Sequence, residues 1–124
     1  MEFNAEEHGK KGFTDKKREE LYSKVLTLKD LIRYQDGTVA SRMIVSNSSG
    51  SITLFSFDED EGLSEHTAPY DATVTILDGS CEVWIAGETF QLIEGQTIIF
   101  PAHVPHALSA VTKFKMVLTM IREK

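Results

Sequence analysis

The stretch TVTILDGSCEVWIAGETFQL, residues 73–92, decides the fold. It is rich in β-branched and aromatic residues, which are typical of strands, and it is interrupted by Asp78-Gly79 and Ala86-Gly87. These dipeptides are typical of tight turns between antiparallel strands, because glycine tolerates a positive φ. We therefore predict strand, turn, strand, turn and strand across this stretch.

The same pattern continues on both sides of residues 73–92. Upstream, the turn-like SNSSG (46–50) separates VASRMIV (39–45) from SITLFSF (51–57). Downstream come EGQTIIFPA (94–102), HALSAV (106–111) and FKMVLTMI (114–121). About eight short strands with frequent turns and no long helix between them indicate an all-β antiparallel sandwich or closed barrel.

The N-terminal part of the chain has a different composition. Residues 1–13 have mixed charge and little to bury, as in a tail, and KKREELYSKV (16–25) predicts a short helix with apolar positions Leu21, Tyr22 and Val25. A weaker helical start follows at Thr27, and Asp36-Gly37 predicts a turn. We therefore divide the chain into an N-terminal tail with a short helical extension, residues 1–38, and a barrel domain, residues 39–124.

Composition restricts the classes of function. The 124 residues, 41% hydrophobic and 26% charged, are ordinary for one globular domain. The net charge of −6 with no basic patch argues against nucleic-acid binding, and no apolar run approaches the roughly 20 residues that span a membrane. Because Cys81 is the single cysteine, no internal disulfide can form, and we expect a cytoplasmic location.

Two histidines in the barrel region are candidate functional residues. His66 lies in SEHTAPYDA (64–72), just before a predicted strand, and His106 lies just past the corner from Pro101 to Pro105. Neutral imidazole is the commonest protein metal ligand, and two from separate strands can converge inside a barrel. Spacing alone favours the simpler interpretation, two partly buried histidines bonded to backbone, and metal ligation stays open as the alternative.

The turn spacing resembles that of the cupin superfamily, whose members are double-stranded β-helix barrels of the jelly-roll type. Positions of the first cupin motif are matched by His66, Ala68, Ala72 and Gly79; those of the second by Gly95, Pro101, His103, His106 and Ala110. More narrowly, His-Thr-Ala-Pro at 66–69 is similar to a group of small bacterial cupins. The resemblance covers roughly residues 39–121 and implies a cupin barrel with a short N-terminal helical extension.

The departures from the cupin pattern bear on the metal. Cupin metals usually have three histidine ligands and one glutamate, and the resemblance carries over only His66 and His106, because Ala68 and Ala72 cannot ligate. His103 replaces a motif glycine and is the candidate third ligand, although histidine also suits a turn that needs positive φ. Asp71 falls outside the strand alternation of the ligand positions. We expect at most one weakly bound divalent transition metal, Zn, Fe, Mn or Ni.

Alternation along the strands predicts the wall of a small-molecule pocket. One face of the last strand carries Phe114, Met116, Leu118 and Met120, and the positions after His66 add Ala72 and Val74. Loss of a histidine and a glutamate at positions 68 and 72 enlarges the interior and makes it apolar. The predicted pocket residues are Ala68, Tyr70, Ala72, Val74, Phe114, Met116 and Met120. The alternative, which the pattern supports at least as well, is that the methionines and aromatic residues of this wall only fill the core.

Three hypotheses about function follow from these features. The first is a small-molecule-binding single-domain cupin with a partly degenerate metal site and no assigned reaction. The second is a metal-dependent cupin enzyme of the dioxygenase or isomerase type, using His66, His106 and His103. The third is a non-catalytic sensing or assembly module. For each we expect a homodimer, because VASRMIV (39–45) is a candidate for an unprotected sheet edge.

Overall fold

A computed structural model describes residues 19–122 of the chain. Its N-terminal segment contains little helix. A 3₁₀-helix spans Leu28–Leu31, directly after the predicted start at Thr27. Most of the helix predicted for residues 16–25 lies outside the described residues, and turns follow Glu19. Tyr22 and Val25, predicted to be its apolar contacts, are exposed. Among residues 19–122, no helix is long and apolar enough to cross a membrane.

Strands dominate the rest of the described chain, which confirms the all-β prediction. They are β1 (Val39–Asn47), β2 (Gly50–Phe57), β3 (Gly62–His66), β4 (Asp71–Asp78), β5 (Ser80–Ile85), β6 (Glu88–Ile93), β7 (Thr97–Phe100), β8 (His106–Ala110) and β9 (Phe114–Ile121). The turns predicted at residues 78–79 and 86–87 are present, with positive φ at Gly79, Ala86 and Gly87.

The strands form two antiparallel sheets. The five-stranded sheet has the order β1-β2-β9-β4-β7, and the four-stranded sheet has the order β3-β8-β5-β6. The strand β3 was missed by the sequence analysis because Gly62–His66 is short and mostly polar, and because it is an edge strand paired only with β8. His66 is thus the last residue of its own strand, whereas the sequence placed it ahead of one.

The main hydrophobic core lies between the two sheets. The five-stranded sheet contributes the large side chains Phe55, Phe57, Phe114 and Met116, and the four-stranded sheet contributes Leu63, Val83 and Leu108. The register places Phe55 opposite Met116, and Met116 opposite Ile76. Because side chains alternate between faces, the inner wall of the five-stranded sheet is largely apolar, with Ser51 and Thr53 as buried polar residues on the face of Phe55.

The segment that precedes β1 packs on the outside of the five-stranded sheet. Ile32 joins Ile44 and Leu54 in a second buried cluster on that outer face. Ser56 Oγ donates to the Arg33 carbonyl oxygen at 2.8 Å, and Tyr34 Oη donates to Asp78 Oδ2 at 2.5 Å. The last residues assigned to the N-terminal extension are therefore packed against the barrel.

Candidate functional site

Strands β3 and β8 bring His66 and His106 together. They are the last residue of β3 and the first of β8, and an irregularity in the register after Leu63 places them directly opposite one another. Their ring centroids are 4.4 Å apart with an interplanar angle of 69°, an edge-to-face arrangement. A gap of 40 positions in the sequence is thereby closed by one cross-strand pair.

Each of these rings is oriented by a backbone carbonyl two residues earlier in the chain. His66 Nδ1 lies 2.8 Å from the Ser64 carbonyl oxygen, and His106 Nδ1 lies 3.0 Å from that of Val104. A carbonyl oxygen can only accept a hydrogen bond, so Nδ1 carries the proton in both rings. In the neutral form, each ring therefore has its lone pair on Nε2.

His106 is the more enclosed of the two. Its ring is buried and stacks on Phe100, with centroids 4.3 Å apart and planes 15° from parallel. Burial lowers the pKa of His106, the hydrogen bond to Val104 opposes this, and the nearby charge of His66 acts in the direction of burial. Because its ordinary pKa is already below neutrality, His106 is neutral at pH 7.

The two histidines form part of the wall of a cavity between the sheets. Its volume is about 550 Å³, including the part open to solvent. The described lining residues are Phe55, Leu63, His66, Ala68, Tyr70, Ala72, Val74, Phe100, His106, Ala107, Leu108, Met116, Leu118 and Met120. Most are apolar, and a mostly apolar lining with a few polar groups is typical of small-molecule sites.

Six of the seven predicted pocket residues lie in this wall: Ala68, Tyr70, Ala72, Val74, Met116 and Met120. Phe114 does not, and its prediction is corrected here. It is the first residue of β9, pairs with Phe57 and stacks on that ring at 4.4 Å, so it fills the core. Alternation identified the inner face of β9 but not how far along the strand the cavity extends.

The cavity also has walls that the sequence analysis did not predict. Phe55, Leu63, Phe100 and Leu108 come from four different strands, β2, β3, β7 and β8. Alternation in SITLFSF marks Phe55 as a residue that shares a face with Phe57, which was an available signal. Phe100 and Leu108 follow only from the strand pairing, which joins residues distant in sequence.

His103 and Asp71 hold a loop outside the cavity lining. His103 is exposed with φ +65°, in the turn where the sequence expected positive φ, and its N–H donates to the Ala68 carbonyl oxygen at 2.7 Å. Asp71 Oδ1 accepts from the Ala102 N–H at 2.8 Å. Both residues connect the loop after β7 to the segment between β3 and β4.

The histidine pair offers fewer ligands than a resident metal normally has. His66 and His106 offer two Nε2 lone pairs, but among residues 19–122 no three His, Cys, Asp or Glu side chains are grouped closely enough to hold an ion. A catalytic zinc normally has three protein ligands, and non-haem iron commonly has two histidines and a carboxylate. The described residues therefore do not fit a metal centre with three or four protein ligands.

The fold and the cavity define a jelly-roll barrel with a mostly apolar cavity whose wall includes a histidine pair. The Cupin domain family matches residues 53–122, and the chain belongs to the cupin family. This confirms the resemblance found in the motif spacing. A comparison with curated proteins found no match.

Solved structures with the same fold include several bacterial proteins. A conserved protein of unknown function from Streptococcus pyogenes is 40% identical, with a TM-score of 0.79, over 83% of this chain and 90% of that one. A cupin superfamily protein from Desulfitobacterium hafniense is 27% identical, with a TM-score of 0.78, over 82% and 93% of the two chains.

A third similar structure belongs to a longer chain. The Cupin 2 conserved barrel domain protein from Leptotrichia buccalis is 34% identical, with a TM-score of 0.73. The match covers 76% of this chain and 46% of that one. The names of these three proteins describe a fold or an unknown function and specify no ligand.

Proposed function

We propose that this chain is a small-molecule-binding cupin domain whose ligand occupies the cavity between the sheets. The observation that carries this proposal is an apolar cavity of about 550 Å³, open to solvent in part, with two oriented histidines in its wall. A site of this kind, mostly apolar with a few convergent polar groups, is the usual form of a small-molecule site.

Ala68 and Ala72 support this proposal. Both line the cavity at positions where the cupin pattern has ligating side chains. Ala72 is buried opposite Phe100 on one neighbouring strand and Met120 on the other, so a larger side chain there would project into the cavity. The two alanines leave space and remove charge, which favours an apolar ligand over a tightly held metal.

The test uses toluene as a probe for the cavity and two adjacent substitutions on β4. Ala72→Leu adds bulk to the inner face, whereas Thr73→Leu adds the same side chain to the opposite, half-exposed face. Toluene titrations of the isotope-labelled full chain, followed by NMR, should shift signals of the cavity residues in the wild type. Ala72→Leu should weaken binding at least about tenfold, because a Leu side chain occupies the space that the probe needs.

Thr73→Leu is the matched control and should bind toluene like the wild type. Absence of saturable binding of toluene and also of phenol and anisole, which share its ring, to the wild-type chain would contradict the proposal. Equal binding by both variants would place the probe outside this cavity and would contradict it as well.

The same histidine pair supports a second candidate function, weak binding of one divalent transition metal, Zn, Fe, Mn or Ni. In metal sites, a ligating histidine commonly donates its other ring N–H to a carbonyl or carboxylate, as both rings do here. Calorimetric titration with Zn²⁺ should then lose all binding in His66→Ala or His106→Ala, and little in His103→Ala. Wild-type affinity in His66→Ala would exclude the pair as the site. No reaction is assigned to such an ion.

A homodimer formed through β1 is part of this proposal. β1 is an edge of the five-stranded sheet, so one side of its nine-residue backbone, Val39–Asn47, has no strand partner in the described chain. Such an edge can pair with a second copy. Light scattering at micromolar concentration should give twice the mass of 13.9 kDa, and a monomer would contradict it.

The cavity supports a binding function over a sensing or assembly module with a filled barrel. For location, we propose the cytoplasm, in which thiols stay reduced. Cys81 is buried, and burial raises the pKa of its thiol to about 11, so it is an unreactive core residue.

A further inference from the structure

The polar groups of the cavity wall are few and are placed together. Of the described lining residues, only His66, Tyr70 and His106 carry polar side chains. Two of the three form the edge-to-face pair. The rest of the described wall is hydrocarbon, apart from the thioethers of Met116 and Met120. A ligand in the cavity therefore meets its principal polar partners at the histidine pair.

The hydrogen-bonding character of that pair follows from its contacts. In both rings Nδ1–H is bonded to a backbone carbonyl, so the remaining nitrogen, Nε2, is an acceptor. In their neutral forms the two imidazoles thus offer two acceptor nitrogens and no free N–H donor. A ligand without a donor would leave these lone pairs unpaired and out of water, which is unfavourable.

The apolar wall carries a second preference, for an aromatic body. Phe100, in the five-stranded sheet, and His106, in the four-stranded sheet, stack nearly parallel with ring centroids 4.3 Å apart, so flat rings from both sheets meet in the cavity wall. Met116 and Met120 lie in the wall of the opposite sheet from β8, and thioether sulfur packs favourably against aromatic rings. The largely hydrocarbon wall also disfavours a carboxylate, whose charge would lose its hydration with the Tyr70 hydroxyl as the one uncharged side-chain O–H donor of the described lining.

We infer that the ligand of this cavity is a neutral aromatic molecule with a hydrogen-bond donor, of the phenol class, whose hydroxyl group donates to Nε2 of His66 or His106. This inference rests on the proposed function, since it assigns a chemical class to the ligand of the same cavity. It is independent of a bound metal, and it is tested without one.

The experiment compares phenol, anisole and toluene on the wild-type chain in the presence of EDTA. The three probes share one ring, but phenol has a donor, anisole has only an acceptor oxygen, and toluene has neither. In a purely apolar cavity phenol would bind more weakly than anisole, because its hydroxyl group would be buried unpaired. With two acceptors in the wall the order reverses, and NMR titration should give phenol an affinity at least about tenfold higher than anisole.

Two histidine variants test whether the preference for phenol over anisole depends on the histidine pair. His66→Phe keeps a ring at a half-buried position but removes the acceptor, and it should reduce the preference for phenol over anisole by several-fold. The matched control is His103→Gly, which removes an exposed histidine outside the described lining at a position with φ +65° that suits glycine. Its preference should equal that of the wild type.

The outcomes separate this inference from the proposed function. Binding of toluene and anisole at least as tight as that of phenol would overturn the donor requirement while leaving a small-molecule cavity in place. Failure of all three probes would overturn both. An unchanged preference in His66→Phe, with nitrogen-15 spectra showing no phenol-induced shift at either imidazole, would also overturn the inference.

Discussion

Replacing Gly79 with alanine should destabilise the barrel, because two connections that cross from one sheet to the other, here called crossings, contact each other at this residue. Gly79 joins β4 in one sheet to β5 in the other, and residues 111–113 join β8 to β9 in the reverse direction. The crossings are bonded to one another, since the Ser80 carbonyl oxygen accepts from the N–H groups of Val111 and Thr112 at 3.2 and 3.3 Å. Gly79 lies directly against the second crossing.

The size of the effect follows from two separate terms. A Cβ atom on Gly79 would lie 2.1 Å from the Lys113 carbonyl oxygen and 2.9 Å from Phe114 Cα, so backbone must move. Overpacking of this kind costs about 1–3 kcal/mol. In addition, φ at Gly79 is +75°, and a left-handed conformation costs an L-residue about 1–2 kcal/mol. The free energy of unfolding should therefore fall by about 2–5 kcal/mol.

Gly95→Ala is the matched control, because it contains only the second term. Gly95 has φ +89°, and in the described structure a Cβ atom there has nothing within 4 Å. We expect a loss of about 1–2 kcal/mol. Urea denaturation followed by Trp84 fluorescence gives both values, provided that the m-values agree. Equal losses in the two variants, within about 0.5 kcal/mol, would refute the role assigned to the crossing contact.

Further predictions concern stability and its dependence on pH. Thr53 Oγ1 is buried without a hydrogen-bond partner among the described residues, so Thr53→Val should raise the free energy of unfolding by about 1–2 kcal/mol. The control Ser56→Ala removes a bonded hydroxyl and should lower the free energy of unfolding by about 1 kcal/mol. A lower free energy of unfolding for Thr53→Val in chemical denaturation would count against this. Burial and the hydrogen bond to Asp78 raise the pKa of Tyr34, so the folded chain keeps its proton while the unfolded chain loses it above about pH 10. Wild-type stability should thus fall more steeply above pH 10 than that of Tyr34→Phe, and parallel curves would contradict it. The pKa of His106 is lowered in the folded chain, so the unfolded chain binds the proton more readily and stability should fall as pH drops below about 6.5. With EDTA present, this acid-induced loss of stability should be smaller in His106→Phe than in the wild type.

Local sequence was enough to predict most of the strands and turns of this chain. The side on which a strand residue lies depends only on a period of two, so the alternation in residues 114–121 placed Met116 and Met120 on the inner face. Turn types depend on the backbone preferences of two residues, so Asp78-Gly79 was located from its composition alone. The motif spacing then identified the cupin barrel.

The sequence by itself did not determine which of these residues share a site. The strand β3, too short and polar to recognise, decided that His66 lies opposite His106, and the pairing of β9 decided that Phe114 fills the core beside Phe57. The tautomer of each histidine depends on a carbonyl whose direction is set by the folded backbone. Alternation is a local property of one strand, whereas a cavity depends on the register between strands that are distant in sequence, and only the tertiary structure sets that register.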